Sequence, residues 1–143
     1  SKDKIWNIST VDLVKEAAKI LGWNGEKDER SRKFLSDLKD LSEDYSNLSE
    51  KYISKVIEEA KTTQKVKVIF VHVREPEQIK KLKEKFNAVT LLIKNNRVKQ
   101  IETNHADKNV ENYSYDFIIE NNGSLLELTR KAVIFIQEIG VLS

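Results

Sequence analysis

An arginine that directly follows an apolar run is the first residue of this chain with the chemistry to bind an anion. Residues 66–73, VKVIFVHV, are rich in β-branched side chains and predict a strand covered on both faces. Arg74 comes next, and Pro76 suits the first position of a following helix. A guanidinium group matches phosphate and carboxylate in bidentate geometry. Arg74 is therefore a candidate anion clamp, and an ion pair with Glu75 or a neighbouring acid is the alternative.

Two further arginines, Arg30 and Arg32, lie in DERSRKF near the predicted start of a helix that Asp28 would cap. Helix N-termini favour anions, and arginines there add charge and bidentate geometry. Charged residues make up 34% of the chain, however, so a solvated helix face is the simpler interpretation of this pair on composition alone.

The polar segment 95–114 carries the only other cluster of chemically versatile groups. Its candidate residues are His105, Asp107, Asn109 and Glu111, with Asp116 following it. One histidine among carboxylates at these spacings matches no known ligand pattern, so no metal site is predicted. The composition favours a lid that closes over a substrate, and an ordinary surface loop is the alternative.

Trp6 and Trp23 are the two tryptophans of the chain. Either indole ring has the size and π-face to stack on a nucleobase, but such residues more often fill a core or its edge. Trp23 lies between two glycines in GWNG, which predicts a bend near the surface. Base stacking is therefore the minority interpretation.

Composition limits the class of protein. The chain has 143 residues, of which 39% are hydrophobic, which suits one globular domain with a core. It contains no cysteine, which excludes disulfides and fits a cytoplasmic protein. The net charge of +2 comes from interspersed acids and bases, which argues against a dedicated nucleic-acid binder. The sequence has neither an apolar run long enough to span a membrane nor a signal-peptide core.

Hydrophobic periodicity predicts the elements that would position these groups. A short strand at 4–7 leads into a helix that Ser9 or Thr10 would cap and Asp12 would favour electrostatically. Gly22 would end that helix. Three predicted helical stripes face inward: Val14, Ala17, Ala18 and Leu21; Phe34, Leu35, Leu38 and Leu41; and Leu48, Tyr52, Ile53, Val56, Ile57 and Ala60.

From residue 65 onward, predicted strands alternate with predicted helices. The helix after Pro76 has Ile79, Leu82 and Phe86 on its inward face, and residues 88–94 form the next strand. The last strand lies in YDFIIEN, and the last helix begins with a capping box of Ser124 and Glu127. This order predicts an α/β fold with a three-layer parallel sheet and helices on both faces. Such sheets bind ligands beyond the carboxyl ends of their strands, where Arg74 is predicted to lie.

Three stretches, taken together, resemble the P-loop nucleoside and deoxynucleoside monophosphate kinases of the adenylate kinase-like superfamily. They are VDLVKEAAKILGWNGEKDERSRKFLSDLKDL, VIFVHVREPEQIKKLKEKF and NHADKNVENYSYDFIIENNGSLLEL, and they cover nearly all of the chain. The segments HVREPEQIKKL and YDFIIENNGSLLEL carry most of the resemblance, although neither is as specific as a catalytic motif.

The resemblance implies a single kinase-like domain over residues 1–143. Within it, 10–60 would be the monophosphate-binding helical region, 65–94 the core strand–helix–strand, 95–114 the lid and 115–143 the last strand and helix. The implied reaction transfers the γ-phosphoryl group of ATP to a nucleoside monophosphate with Mg²⁺. The resemblance implies that Arg74 is the catalytic arginine at the strand end and that Arg30 and Arg32 bind the acceptor phosphate. Asp12 and Glu75 are weaker candidates for orienting the substrate or its arginines. The implied lid residues are His105, Asp107, Asn109 and Glu111.

The chain departs from this family at the phosphate loop. It contains four glycines, and no G-x-x-x-x-G-K-[ST] motif that would hold nucleotide phosphates and magnesium. Three explanations for the missing loop are open. A strand–loop–helix unit precedes Ser1, or the unit comes from another chain or a rearranged sheet. In the third explanation, the chain is a relative that lost catalysis. Kinase activity is expected only where the loop exists. The alternative is a non-catalytic nucleotide-binding or protein-interaction module, with a homodimer left open.

Overall fold

The computed structural model describes residues 5–63, 65–94 and 113–140 as a mixed α/β protein. Its elements are β1 (Ile5–Ser9), α1 (Asp12–Ile20), α2 (Glu29–Ser46), α3 (Leu48–Thr63), β2 (Val68–His72), α4 (Pro76–Phe86), β3 (Leu91–Lys94), β4 (Phe117–Glu120) and α5 (Leu125–Glu138). The described part of the chain falls into two compact units, divided after Val73. The prediction of one domain over 1–143 stays a prediction.

The first unit is built on a parallel pair of strands joined by three helices. β1 and β2 pair in register from Ile5 opposite Val68 to Ser9 opposite His72. The parallel arrangement requires a crossover connection, which α1, α2 and α3 provide. The tightest packing in this unit is helical: Val14, Ala18 and Ile53 are almost completely buried. The predicted inward faces of the first and third helices are confirmed at these three positions.

The starts and ends of these helices follow local sequence signals with one exception. Asp28 is the N-cap of α2 and accepts a hydrogen bond from the Ser31 N–H at 2.8 Å, as predicted. Asn47 separates α2 from α3 in a left-handed conformation with φ of 51°, which asparagine tolerates. The exception is α1, whose N-cap is Val11 and has no side-chain capping bond. Neither Ser9 nor Thr10 is therefore the N-cap residue of α1, although Ser9 Oγ accepts the Val11 N–H at 3.2 Å.

Two leucines predicted to face inward are exposed instead. Leu21 is 65% exposed because α1 ends at Ile20, so Leu21 lies at the helix end rather than on its buried face. Leu41 in α2 is 67% exposed, whereas Phe34, Leu35 and Leu38 on the same predicted stripe are half-buried. Three of the four residues of the predicted α2 stripe are therefore partly covered.

The second unit repeats the strand-and-helix theme with a second parallel pair. β3 and β4 pair from Leu91 opposite Phe117 to Lys94 opposite Glu120. Pro76 is the first residue of α4, as predicted, and Ile79 and Leu82 of that helix are buried. The Phe117 ring meets the Phe135 ring of α5 edge-on, with 5.2 Å between the ring centroids.

The observed sheets are smaller than the predicted three-layer sheet. Among the described residues, strands pair only as β1 with β2 and as β3 with β4. The residues of β2 are half-buried or exposed, so the predicted coverage on both faces is not seen. Ile93 in β3 and Ile118 in β4 are each 58% exposed. Within these residues, no helix combines the length and apolarity needed to cross a membrane.

Candidate functional site

The carboxyl ends of β1 and β2 carry a hydrogen-bonded polar cluster in the first unit. The Thr10 N–H donates to the His72 carbonyl oxygen at 3.2 Å, which extends the strand pairing one residue beyond Ser9. Thr10 itself is only 4% exposed. The chain is therefore fixed at the point where it leaves β1 and turns into α1, the edge at which parallel sheets bind ligands.

Asp12 holds this turn together. Its Oδ2 accepts the Ser9 N–H at 2.8 Å and the Tyr52 hydroxyl at 3.0 Å, while the Ser9 Oγ accepts the Val11 N–H at 3.2 Å. As the first residue of α1, the carboxylate also complements the positive end of the helix dipole. Burial raises the pKa of the Tyr52 hydroxyl, and the hydrogen bond to Asp12 raises that pKa further. The predicted electrostatic role of Asp12 at this helix start is supported by its position.

Ser49 ties the start of α3 to the same turn. Its hydroxyl donates to the Thr10 carbonyl oxygen at 3.0 Å, and its N–H donates to a carboxylate oxygen of Glu43 at 2.9 Å. Ser49 is only 3% exposed, and the bond from its hydroxyl to Thr10 is shielded from water. Shielded hydrogen bonds are costly to leave unmade, which makes Ser49 a strong positioning residue for the β1–α1 turn.

Asn7 and His72 place a second polar contact on the strand pair. His72 Nε2 lies 3.3 Å from Asn7 Oδ1, and both side chains are exposed. Since His72 is the last residue of β2, its ring is available at the carboxyl edge. Neither residue belongs to a ligand pattern in the sequence, where His72 is a lone histidine on a predicted buried strand.

Arg30 and Arg32 both fall in the first turn of α2, as the sequence predicted. Positions two apart on a helix lie on nearly opposite sides, so the geometry does not direct both side chains at one phosphate. Arg30 is exposed and Arg32 is half-buried. Asp28 already engages the helix start, where its hydrogen bonds with Ser31 lower the pKa of its carboxyl. Asp28 therefore already takes the Ser31 N–H, one of the donors that a helix start could offer to an anion.

Arg74 and Glu75 open the second unit. Glu75 is the N-cap of α4 but makes no side-chain capping bond, and its carbonyl oxygen accepts the Ile79 N–H at 3.0 Å. Arg74 is exposed and Glu75 half-buried. Arg74 follows β2 by two residues, which places it after a strand end, as the sequence predicted.

The second unit has its own polar cluster, at the amino ends of β3 and β4. Asp116 accepts the Thr90 N–H at 2.9 Å and a bond from Lys83 Nζ at 2.6 Å, while its own N–H donates to Thr90 Oγ1 at 2.9 Å. The bond from Lys83 lowers the pKa of Asp116, and the bond to Asp116 raises the pKa of Lys83. Ligands of parallel sheets bind at the opposite ends of the strands, so this cluster is structural.

The remaining candidates from the sequence are the predicted lid residues and the two tryptophans. His105, Asp107, Asn109 and Glu111 lie outside the described residues, as does most of the predicted lid at 95–114. In the described ranges, no group of three histidine, aspartate or glutamate side chains is arranged to hold a metal ion. Trp6 and Trp23 are both half-buried, and the Trp23 indole N–H donates to the Glu26 carbonyl oxygen at 2.9 Å. Trp23 therefore braces a bend.

No protein-family model, curated protein or solved structure matches this chain.

Proposed function

We propose that this chain is the acceptor-binding part of a nucleoside or deoxynucleoside monophosphate kinase-like protein. Its reaction would transfer the γ-phosphoryl group of ATP to the monophosphate. The observation that carries the proposal is the fixed β1–α1 turn at the carboxyl ends of two parallel strands, followed directly by three helices. A monophosphate site at such an edge agrees with the general placement of ligands on parallel sheets. The three sequence stretches that resemble these kinases supply the substrate class.

Phosphoryl transfer depends mainly on positioning and on neutralising phosphate charge. Arg74 is proposed as the catalytic arginine, and Arg30 is favoured over Arg32 for the acceptor phosphate because it is the more exposed of the two. Asp12 is proposed as an orienting residue that acts through the β1–α1 turn, since its Oδ2 already holds Ser9 and Tyr52. Glu75 remains a weaker orienting candidate, and the lid role of residues 95–114 stays a prediction.

The described residues do not form an ATP–magnesium site by themselves. The sequence contains no G-x-x-x-x-G-K-[ST] motif, and the described ranges contain no metal-ligating group of three acidic or histidine side chains. The proposal therefore assigns ATP and Mg²⁺ to a phosphate-loop unit that a further segment or another chain supplies. The chain's own contribution is acceptor binding and charge neutralisation.

The finer fold, a three-layer parallel sheet of the P-loop kinase type, belongs to the same proposal. Both observed strand pairs are parallel, and each has strand edges without a partner among the described residues. A two-stranded sheet is marginal in water, and an exposed edge is a template for a further strand. The strand of a phosphate-loop unit would satisfy such an edge.

Calorimetric titration tests the acceptor site first. Purified protein should bind at least one member of a panel of ribo- and deoxynucleoside monophosphates, and Arg30→Ala should weaken that binding. Arg130 on α5 is an exposed arginine that the proposal does not use, so Arg130→Ala is the matched control and should bind normally. Absence of binding to every monophosphate in the panel would overturn the proposal.

A coupled assay of ADP release tests transfer separately. In a preparation that includes a phosphate-loop unit, ADP release should require Mg²⁺ and rise when the preferred monophosphate is added. Arg74→Ala should lower turnover by roughly a hundredfold, the scale of losing one donor that stabilises transition-state charge. An unchanged turnover, or a loss explained entirely by unfolding, would remove Arg74 from the catalytic set.

The missing motif specifically favours a second candidate, a non-catalytic nucleotide-binding module on the same scaffold. It predicts monophosphate binding with the same arginine dependence and no stimulated ADP release under any condition. The two assays together separate this candidate from the kinase.

A further inference from the structure

The bend at residues 23–26 carries a side-chain amide, that of Asn24, which the proposed nucleotide site does not use. The chain contains two Asn–Gly pairs, Asn24–Gly25 and Asn122–Gly123. Glycine has no side chain to shield its backbone nitrogen, so that nitrogen can attack the side-chain amide carbon of the preceding asparagine. We propose that Asn24 is a built-in site of spontaneous deamidation, whose reactivity is promoted by the folded bend, whereas Asn122 is protected by its surroundings.

The reaction has a defined balance. The Gly25 nitrogen forms a bond to Cγ of Asn24 and loses its proton, and the side-chain amide leaves as ammonia, which gives a cyclic imide. Water then opens the ring at either carbonyl carbon. The products are aspartate, or isoaspartate with an additional methylene group in the main chain. Water is the only co-reactant, and nothing is oxidised or reduced.

The bend around Asn24 places the reacting atoms in one hydrogen-bonded ring. Asn24 Oδ1 accepts the Glu26 N–H at 3.1 Å, the side-chain-to-backbone pattern that asparagine makes two residues on. The ring that this bond closes includes Cγ of Asn24 and the nitrogen of Gly25, the two atoms that must join. The Trp23 indole N–H donates to the Glu26 carbonyl oxygen at 2.9 Å and holds the bend closed.

The same hydrogen bond also assists the chemistry. When the Gly25 nitrogen attacks, negative charge develops on Asn24 Oδ1, and the Glu26 N–H already points at that oxygen. A donor aimed at developing charge lowers the barrier to reaction. Asn24 is exposed, and apart from Gly25 and its two chain neighbours nothing lies within 4 Å of the position that a Gly25 Cβ would occupy. Water therefore reaches the amide and the imide.

The second Asn–Gly pair has the opposite surroundings. The Glu127 carboxyl group lies directly over Gly123, in the space that a side chain there would take. The adjoining backbone is held on both sides: the Asn121 N–H donates to the Lys94 carbonyl oxygen at 2.6 Å, and Ser124 Oγ accepts the Glu127 N–H at 3.2 Å. The Glu127 carboxyl group shields Gly123, which carries the attacking nitrogen, so the reaction at Asn122 is slowed.

The consequence of reaction is local and specific. Either product adds a negative charge to a bend that leads into Asp28 and the first turn of α2. Isoaspartate also lengthens the main chain by a methylene group, which disturbs the Trp23–Glu26 hydrogen bond.

Peptide mapping by mass spectrometry tests the inference. The purified protein is incubated in isotopically labelled water in mildly alkaline buffer, with and without denaturant, and digested with trypsin. Cleavage after Lys19 and Lys27 releases a peptide in which Asn24 is the only asparagine. The ratio of deamidation at Asn24 to that at Asn122 should be roughly fivefold to tenfold higher in the folded protein than in denaturant, the scale of one hydrogen bond in a transition state.

Two variants separate the causes. Gly25→Ala hinders the attacking nitrogen and should slow reaction at Asn24 in both folded protein and denaturant. Glu26→Pro removes the N–H that points at Asn24 Oδ1 and should reduce the excess rate only in the folded protein, with helix content checked by circular dichroism. An equal ratio with and without denaturant, or faster reaction at Asn122, would overturn the inference.

Discussion

The two units place their polar side chains at opposite ends of equivalent strand pairs. In the first unit, Thr10 and Asp12 organise the carboxyl ends of β1 and β2. In the second, Thr90 and Asp116 organise the amino ends of β3 and β4. Both clusters include a threonine and an aspartate whose carboxylate accepts a backbone N–H, yet only the first lies at the edge where parallel sheets bind ligands. Chemical type alone therefore does not identify a site; its position along the strands is also needed.

A second difference concerns what neutralises each carboxylate. Asp116 is paired with Lys83 Nζ at 2.6 Å, so its charge is compensated inside its own unit. Asp12 instead accepts uncharged donors, the Ser9 N–H and the Tyr52 hydroxyl. Asp12 therefore acts on the β1–α1 turn through these neutral hydrogen bonds and through the positive end of the α1 dipole.

The largest expected effect on stability comes from a substitution in the core of the first unit. Ile53→Ala should lower the free energy of unfolding by about 3 kcal/mol, because Ile53 is fully buried and the change leaves a cavity. Ile20→Ala is the matched control: it is the same substitution at a residue that is 85% exposed, and its effect should stay below about 0.5 kcal/mol. Urea unfolding with each variant makes the measurement.

The corresponding change in the second unit, Ile79→Ala, sharpens the comparison. Ile79 is 4% exposed, so a loss of about 2 kcal/mol or more is expected there as well. Trp6 and Trp23 both belong to the first unit, so tryptophan fluorescence reports on that unit while circular dichroism reports on all the helices. If Ile79→Ala shifts the fluorescence transition as much as the dichroism transition, the units unfold together. Separate transitions would contradict the single domain that the sequence predicted.

The next effect concerns the bond between Asp12 and Tyr52. Tyr52→Phe removes the hydroxyl and Asp12→Ala removes its acceptor, and each should cost about 1 kcal/mol. Because the two groups are in direct contact, the double variant should lose less than the sum of the single losses, with a coupling of about 1 kcal/mol. Strict additivity would show that the contact contributes nothing to holding the β1–α1 turn.

Local features of this fold were predictable from the sequence, and long-range pairings were not. The Asp28 cap, the first helical position of Pro76 and the Ser124 cap each depend on residues within three positions of one another, and all three are present; of the predicted Ser124–Glu127 box, the structure shows the bond from the Glu127 N–H to Ser124 Oγ. The Asp12–Tyr52 bond joins residues 40 apart, and the Thr90–Asp116 bonds join residues 26 apart. Such contacts follow from strand pairing and helix packing, which short-range patterns do not encode.

The candidate site was predictable to the same extent. The sequence placed Arg30 and Arg32 in a first helical turn and Arg74 after a strand, and the structure agrees with these positions. It did not show that two arginines at this spacing point away from each other, nor that Ser49 and Tyr52 secure the turn. Ser49 and Tyr52 lie on a predicted helix with no motif around them.

A smaller effect on stability is expected when the pH is lowered. The pKa of Asp116 is lowered in the folded protein, so its contribution to stability is fully present above the ordinary value of 3.8 and is lost as the pH falls through the lowered pKa. Asp116→Asn should therefore reduce the fall in melting temperature between neutral and acidic pH. Asp28, whose pKa is also lowered, allows the same test in the first unit. A variant with an unchanged acid dependence would show that the Lys83–Asp116 pair is stabilising only in appearance.

The smallest expected effect comes from an ion pair that belongs to neither cluster. Lys33 Nζ lies 2.6 Å from Asp37 Oδ2 on α2, a closer approach than many stabilising pairs show, but the two side chains are 74% and 63% exposed. Water and salt screen charges at that exposure, so Lys33→Ala should change the free energy of unfolding by less than about 0.5 kcal/mol.

The Lys83–Asp116 pair has the same 2.6 Å separation with both side chains at 35% exposure, and Thr90 fixes the geometry of its carboxylate. Lys83→Ala should therefore lower the melting temperature more than Lys33→Ala does, and raising the salt concentration should diminish the effect of Lys33→Ala first. Equal shifts for the two variants would mean that distance alone, and not exposure and the surrounding hydrogen bonds, sets the strength of these pairs.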